Sequence, residues 1–383
     1  MPPVSHVRSL VRHALRTALA MAGIAACASA IPVGAPVGPN GAAPSGGTSA
    51  TPVVQPLLRW PVRTVEHIDL WLHAFALISD DTARVRLYRN GYRDSLVVVK
   101  NQRNVLTSLD ANRATLAKRL ATTGGYLPAQ FLPFEFANGD AMRYAIERFL
   151  QFEGDPRRAP DRETQARVAL IASMFPSSAD REWLRLFLAG VLDEQERFFH
   201  AEYSRLLRSR ASVITSVDSL WQQGYRSKFE RFLNNTSQRQ GDLLLSLPIG
   251  GEGRTAAGPN RQTMVAVPFP ARSEDAAQVL YVLAHEITGS LVGTVVTDNT
   301  TPAEQRAGVA DRYVSVGQVQ AGAMLLAIIA PELRDGYVRF YLAQAAVRST
   351  SAEAHAAFDR TFMLPAAIRD ALQRQIDIIL SGI

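Results

Sequence analysis

The chain contains one cysteine, Cys27, in 383 residues. No intramolecular disulfide can form, and a zinc cluster built on cysteines is excluded. Lysine is almost as scarce. Lys100, Lys118 and Lys228 are the only ones, and every other basic side chain apart from histidine is arginine. The formal charge is +6, and Arg8, Arg12 and Arg16 near the N-terminus contribute to it. No dense basic stripe with interleaved aromatics occurs, so nucleic acid is not an expected partner. The glycine-rich stretch GGEGRTAAGPN is not followed by Gly-Lys-Ser/Thr, which argues against a phosphate loop. No serine is paired with a His and an Asp as a nucleophile would be, and no carboxylate pair suggests glycosidase chemistry. What remains is 47% apolar and 20% charged, a globular composition.

Residues 1–26 have the form of an export signal. Arg8, Arg12 and Arg16 occur without an acid, and Thr17–Ala26 is apolar, small and too short to span a membrane. Ile24-Ala25-Ala26-Cys27 resembles the bacterial lipobox. That resemblance implies cleavage before Cys27 and its lipidation, and several acyl chains give stable anchoring where one is marginal. The competing site is Ala28-Ser29-Ala30, an A-x-A pattern whose cleavage would release a soluble periplasmic protein. Residues 27–57 are an uncharged Ala/Gly/Pro/Ser tether that cannot form a core. Ala28 after the cysteine, by resemblance to bacterial sorting rules, points to the outer membrane. The expected location is therefore the cell envelope, with the membrane as a partner through the lipid anchor.

From Trp60 onward the apolar period is mostly helical. Helices are predicted over 63–79, 101–122 and 139–153, with SLVVV inside 84–99 as a strand. The two prolines of EGDPRRAPD (153–161) divide an N-terminal helical region, 58–160, from the remainder, 161–383. Trp183, Phe187, Leu188, Val191, Leu192 and Phe199 recur at helical spacing as a core stripe. Helices continue to about Asn234. DLLLSLPI and TMVAVPFP predict two strands of a small sheet with the glycine-rich loop between them. Ser273 is placed as the cap of a helix over 273–297, with Glu274 and Asp275 in its first turn. Helices over 303–329, 332–346, 351–361 and 366–380 complete the chain, and GAMLLAIIA is read as core. The expected fold class is mainly α with a small β-sheet, α+β.

Between Asp275 and Asp298 only His285 and Glu286 can carry charge near neutral pH. Leu280, Leu283, Ala284, Ile287, Leu291 and Val295 share one face, and Tyr281, Val292 and Val296 make the next one apolar. A helix apolar over most of its circumference is buried. An unpaired ionised glutamate there would cost several kcal/mol, so Glu286 needs a partner, a proton or a water-filled cavity.

This helix resembles the motif helix of zincin metallopeptidases, the gluzincin branch in particular, which carries His-Glu-x-x-His. The resemblance implies a zincin-like helical domain with zinc as its cofactor. His285 corresponds to the first metal-binding histidine and Glu286 to the general base that activates the metal-bound water. The sequence departs from the pattern at Gly289, which stands where the second histidine belongs. The acidic third ligand also has no match: Glu304 is nearest but falls short in spacing, and Asp298 and Asp311 fall further outside it. His200 is a distant candidate ligand; His67 and His73 are six apart and lie on different sides of a helix. The leading expectation is a degenerate, non-catalytic zincin-like lipoprotein that binds a peptide or protein in the old cleft. Two alternatives stand beside it. One is an active zinc metallopeptidase using His285 and Glu286 with further ligands. The other is a helical structural or interaction lipoprotein in which Gly289 and Gly293 form a small-residue packing pair.

Overall fold

The computed structural model describes residues 60–79, 87–122 and 128–382. The leader, Cys27 and the tether lie outside the described residues. Among the described residues seventeen α-helices and four strands follow in chain order. They begin with strand β1 (Val62–Arg63) and helices α1 (Glu66–Ile78), α2 (Tyr92–Gln102), α3 (Ser108–Ala111), α4 (Arg113–Thr122), α5 (Gly139–Gln151) and α6 (Arg162–Met174). Next come α7 (Ser178–Glu194), α8 (His200–Ser209), α9 (Ala211–Ser219), α10 (Arg226–Asn235) and strands β2 (Gly241–Ser246), β3 (Arg254–Ala257) and β4 (Thr263–Pro268). The chain closes with α11 (Ala277–Ile287), α12 (Gly289–Asp298), α13 (Pro302–Arg306), α14 (Val309–Ile329), α15 (Arg334–Gln344), α16 (Ala354–Thr361) and α17 (Ala366–Ser381). The architecture is mainly α with a small mixed sheet.

The sheet order is β1-β2-β4-β3. β1 runs parallel to β2, and β2 parallel to β4 with Leu243 opposite Val265. β3 is the antiparallel edge, with Thr255 opposite Val265. The predicted strands 242–249 and 263–270 are present in slightly shorter form. β3 lies inside the stretch expected to be only a loop. The strand expected at SLVVV is a helix. Tyr92, Leu96 and Lys100 recur every four residues and are buried, while Val98 is 54% exposed. Burial at helical spacing overrides the β propensity of the valines. The helix expected over 101–122 is interrupted where Asn104 adopts φ +52° and Thr107 opens a capping box with Asp110.

The aromatic stripe of α7 is core, as expected. Phe187 meets Trp71, Phe75 and Trp183 at centroid distances of 4.9, 4.9 and 4.8 Å. The segment 153–161 turns sharply, with Glu153 at φ +54° and Gly154 at φ +78°, and α5 packs on α6. GAMLLAIIA closes α14. By length and composition alone, that helix and the run Ser273–Asp298 could each cross a membrane; both contribute buried residues to the core.

α1 carries charge into this core. His73 is fully buried, and its Nε2 meets Glu194 Oε1 at 3.0 Å while Nδ1 meets the Tyr92 hydroxyl at 3.1 Å. Lys100 Nζ donates to Glu194 Oε2 at 2.7 Å and reaches Asp110 at 2.5 Å. Glu194 is also fully buried and immediately precedes a π-helical turn, Gln195–Phe199. Burial pushes the Glu194 carboxyl up, but His73 and Lys100 outweigh it and hold the group down at about 2. A carboxylate held below its unfolded value contributes stability above that value and loses it as pH falls through the folded one. Glu194→Gln is therefore expected to cost about 3 kcal/mol in urea unfolding near neutral pH. The difference from wild type should shrink as pH falls from 4.5 towards about 2. A difference independent of pH across that window would contradict the assignment.

Candidate functional site around His285 and Glu286

α11 follows β4 after a short 3-10 turn, Ser273–Asp275. The expected Ser273 cap is not formed. Arg272 occupies the N-cap position without a side-chain cap bond, and its guanidinium instead pairs with Glu274 at 2.9 Å and Asp275 at 3.2 Å. The single helix expected over 273–297 is broken at Thr288 (φ −86°, ψ −7°) into α11 and α12. The buried Thr288 hydroxyl donates to the carbonyls of Ala284 and His285, at 3.2 and 2.9 Å. Side-chain back-bonding of this kind competes with the helix ladder and bends it.

The burial inferred for this helix holds for most of α11 but not for α12, where Ser290, Thr294 and Thr297 are exposed; His285 and Glu286 lie in the buried part. Their side chains are 8% and 9% exposed. They are bonded to each other: His285 Nδ1 lies 3.0 Å from Glu286 Oε1. The other carboxylate oxygen, Oε2, accepts the Thr255 hydroxyl of β3 at 2.9 Å. The His285 ring stacks on Tyr341 of α15, with centroids 5.4 Å apart and planes at 24°. Gly253 brings the backbone leading into β3 down onto Glu286. A Cβ there would lie 2.6 Å from Val282 Cγ1, 2.8 Å from the Ala266 carbonyl oxygen and 2.9 Å from Glu286 Cγ. Arg254 adds a nearby positive charge, and its guanidinium lies 4.1 Å from the Phe131 ring centroid.

These contacts set the charge state of Glu286. Burial pushes its carboxyl up. His285, Thr255 and Arg254 together outweigh burial and leave it below the usual glutamate value. The group is an ionised carboxylate whose charge is compensated inside the fold, with both oxygens engaged.

The remaining sequence candidates lie elsewhere. Glu304 is the third residue of the α13 capping box, accepting from Thr301. His200 pairs with Glu66 at 2.8 Å on an exposed surface, and His355 with Asp335 at 2.9 Å. His67 meets the carbonyls of Pro133 and Phe136. Gly289 faces Gln318 of α14; a Cβ at 289 would lie 2.7 Å from the Gln318 amide nitrogen. The expected Gly289–Gly293 packing pair is only half present, because open space surrounds the Cβ position of Gly293. The close approach of α12 and α14 occurs at Gly317 instead, against Val292.

Zinc does not fit this arrangement. A catalytic zinc takes three protein ligands. Here one histidine is available, with Nδ1 on Glu286, while the 289 position meets Gln318 and Glu304 is tied into a surface cap. Among the described residues no group of three or more His, Cys, Asp or Glu side chains converges as a metal site. Sequence reasoning missed Gly253, Arg254 and Thr255 because a glycine-rich run suggested a loop. Their signal was the extended quartet Arg254–Ala257 opposite the β-rich TMVAVP.

Comparisons with protein-family models, with characterised proteins and with solved structures yield no match to this chain.

The two glycines give a contrast that tests the site's geometry. Gly253→Ala forces a methyl against a backbone carbonyl, and a loss of about 1–3 kcal/mol is expected. Gly293→Ala meets nothing and should gain up to about 1 kcal/mol in helix propensity. Equal effects in thermal or urea unfolding would mean that Gly253 does not close over Glu286.

Proposed function

We propose that this chain is an exported cell-envelope lipoprotein, anchored through Cys27, with a zincin-like domain that binds rather than cleaves. In this reading α11 keeps the position of a zincin motif helix, directly after a strand of the sheet. β3 keeps the place of an antiparallel edge strand crossing above the His-Glu pair. The ligand is an extended peptide or protein segment that adds to the edge of β3. The catalytic roles that the resemblance gave to Glu286 and His285 are replaced by mutual pairing.

The observation that carries this reading is the pairing of Glu286. Its oxygens accept from Thr255 and meet His285, so each is engaged by a protein group. The edge geometry supports the choice of ligand. Gly258 N donates to the Gln262 carbonyl at 2.8 Å, and the register pairs Ala256 with Met264 and Arg254 with Ala266. By the two-residue period of an antiparallel ladder, Thr255 and Ala257 turn their backbone N–H and C=O groups to the outer edge. An unpaired edge is a template for a further strand. One observation favours the alternative of a structural lipoprotein unrelated to peptidases: Arg254 lies beside Glu286, as in an ordinary core charge cluster.

An array of immobilised hexapeptides of varied sequence tests the proposal. Wild type should retain a defined subset of extended, apolar-alternating peptides without cleaving them. Ala257→Pro removes an outward N–H and leaves the β4 ladder intact, so it should lose retention about tenfold while unfolding at the wild-type temperature. No retained subset, or equal retention by the variant, would contradict the β3 edge as the binding surface.

A further inference from the structure

A second polar cluster lies away from His285 and Glu286, at the carboxyl ends of the parallel strands β2 and β4. Phe269 N donates to the Ser246 carbonyl at 3.0 Å and ties the two strand ends together. Residues 87–89 run alongside the β2 exit: Tyr88 bridges Ile249, and Arg89 N donates to the Pro248 carbonyl at 2.8 Å. This fixes Arg89 at the strand ends, where its Nη2 donates to the Phe269 carbonyl at 2.6 Å. Arg210 arrives from the joint between α8 and α9, and its guanidinium carbon stands 5.3 Å from the Phe269 ring centroid. Two partly buried guanidinium groups therefore converge on one residue.

Among the described residues neither guanidinium has a carboxylate oxygen within 4.0 Å, whereas the neighbouring Arg205 pairs with Glu202. Arg210 Nη1 is buried and has no hydrogen-bond partner. Burial lowers the affinity of Arg89 for its proton, and the charge of Arg210 lowers it further. Burial and the charge of Arg205 act on Arg210 in the same direction. The acid that faces Arg89 is Asp69, and both of its oxygens are taken: Ser246 Oγ donates at 2.6 Å and Leu247 N at 3.0 Å. Burial raises the Asp69 carboxyl to about 7, so its charge, which favours the Arg89 cation, is only about half present near neutral pH. Arg205, the next cation, is satisfied by Glu202.

Two like charges held together with an unsatisfied donor between low-dielectric walls are unfavourable unless an anion joins them. The planar fork of arginine matches the oxygens of a phosphate. Carboxyl ends of parallel strands are also where open sheets leave a crevice for ligands. We propose that Arg89 and Arg210 form a binding site for a phosphate-type oxyanion at the carboxyl ends of β2 and β4. The phosphate is either the free ion or the phosphoryl group of a larger molecule. The site is independent of the His285–Glu286 pair and of any peptide on β3.

Calorimetric titration of the full-length chain with inorganic phosphate and with glycerol phosphate, at fixed ionic strength, tests this. Saturable binding of one anion per chain is expected. Tighter binding of glycerol phosphate identifies a phosphoryl group on a larger molecule, and tighter binding of inorganic phosphate identifies the free ion. Arg210→Gln should weaken binding about tenfold or more, and Arg210→Lys, which keeps charge without the fork, by a smaller factor. Wild-type phosphorus NMR line broadening reads the same binding without any variant. Absence of saturable binding of both anions, or unchanged affinity in Arg210→Gln, would overturn the site and leave the two arginines as packing on Phe269.

Discussion

Placing charge inside an apolar helix layer is the constraint on which the described fold turns. α11 is buried on nearly every side, and Glu286 keeps a negative charge there. The surrounding elements are arranged around that fact. β3 supplies the Thr255 hydroxyl, Gly253 lets the backbone close down, and α15 stacks Tyr341 on His285. The same solution recurs around Glu194, where α1, α2 and α7 each contribute one member of a buried His-Glu-Lys group. Buried ion pairs of this kind give weak net stability, but breaking one is costly, because the orphaned charge has no water to turn to.

This constraint separates the domain from the chemistry its sequence suggests. A zinc peptidase holds its glutamate free to take a proton from a metal-bound water. Here Nδ1 of the imidazole meets the glutamate, and the Thr255 hydroxyl donates to its other oxygen. Gln318 fills the space beside Gly289, so this turn serves the α12–α14 contact. In the proposed reading the layout of strand, edge and helix is kept and given the task of holding an extended chain.

Much of the fold was legible in the sequence because it rests on local period. The α7 aromatic stripe, the two parallel strands and the helical C-terminal third all follow from the spacing of apolar residues. Three features were hidden for physical reasons. The valines of α2 favour a strand, and only the burial of Tyr92, Leu96 and Lys100 against distant elements makes them helical. The break at Thr288 falls where a hydroxyl bonds back to carbonyls, but Thr294 and Thr297 do the same inside unbroken α12, so the residue type alone does not mark it. His73 and Glu194 meet across 121 positions, and Arg89 and Phe269 across 180, separations that no spacing rule connects. The core itself runs continuously from α1 to α17, and β1 of the N-terminal region pairs with β2.

The central claim is that His285 and Glu286 form a closed pair and not a metal centre. It is tested most directly by the zinc content of the full-length chain and of His285→Ala after dialysis against zinc. The account predicts no stoichiometric zinc in either protein, with wild type folded. One zinc per chain in wild type that disappears in His285→Ala would contradict it, and would mean that the pair opens to complete a metal site.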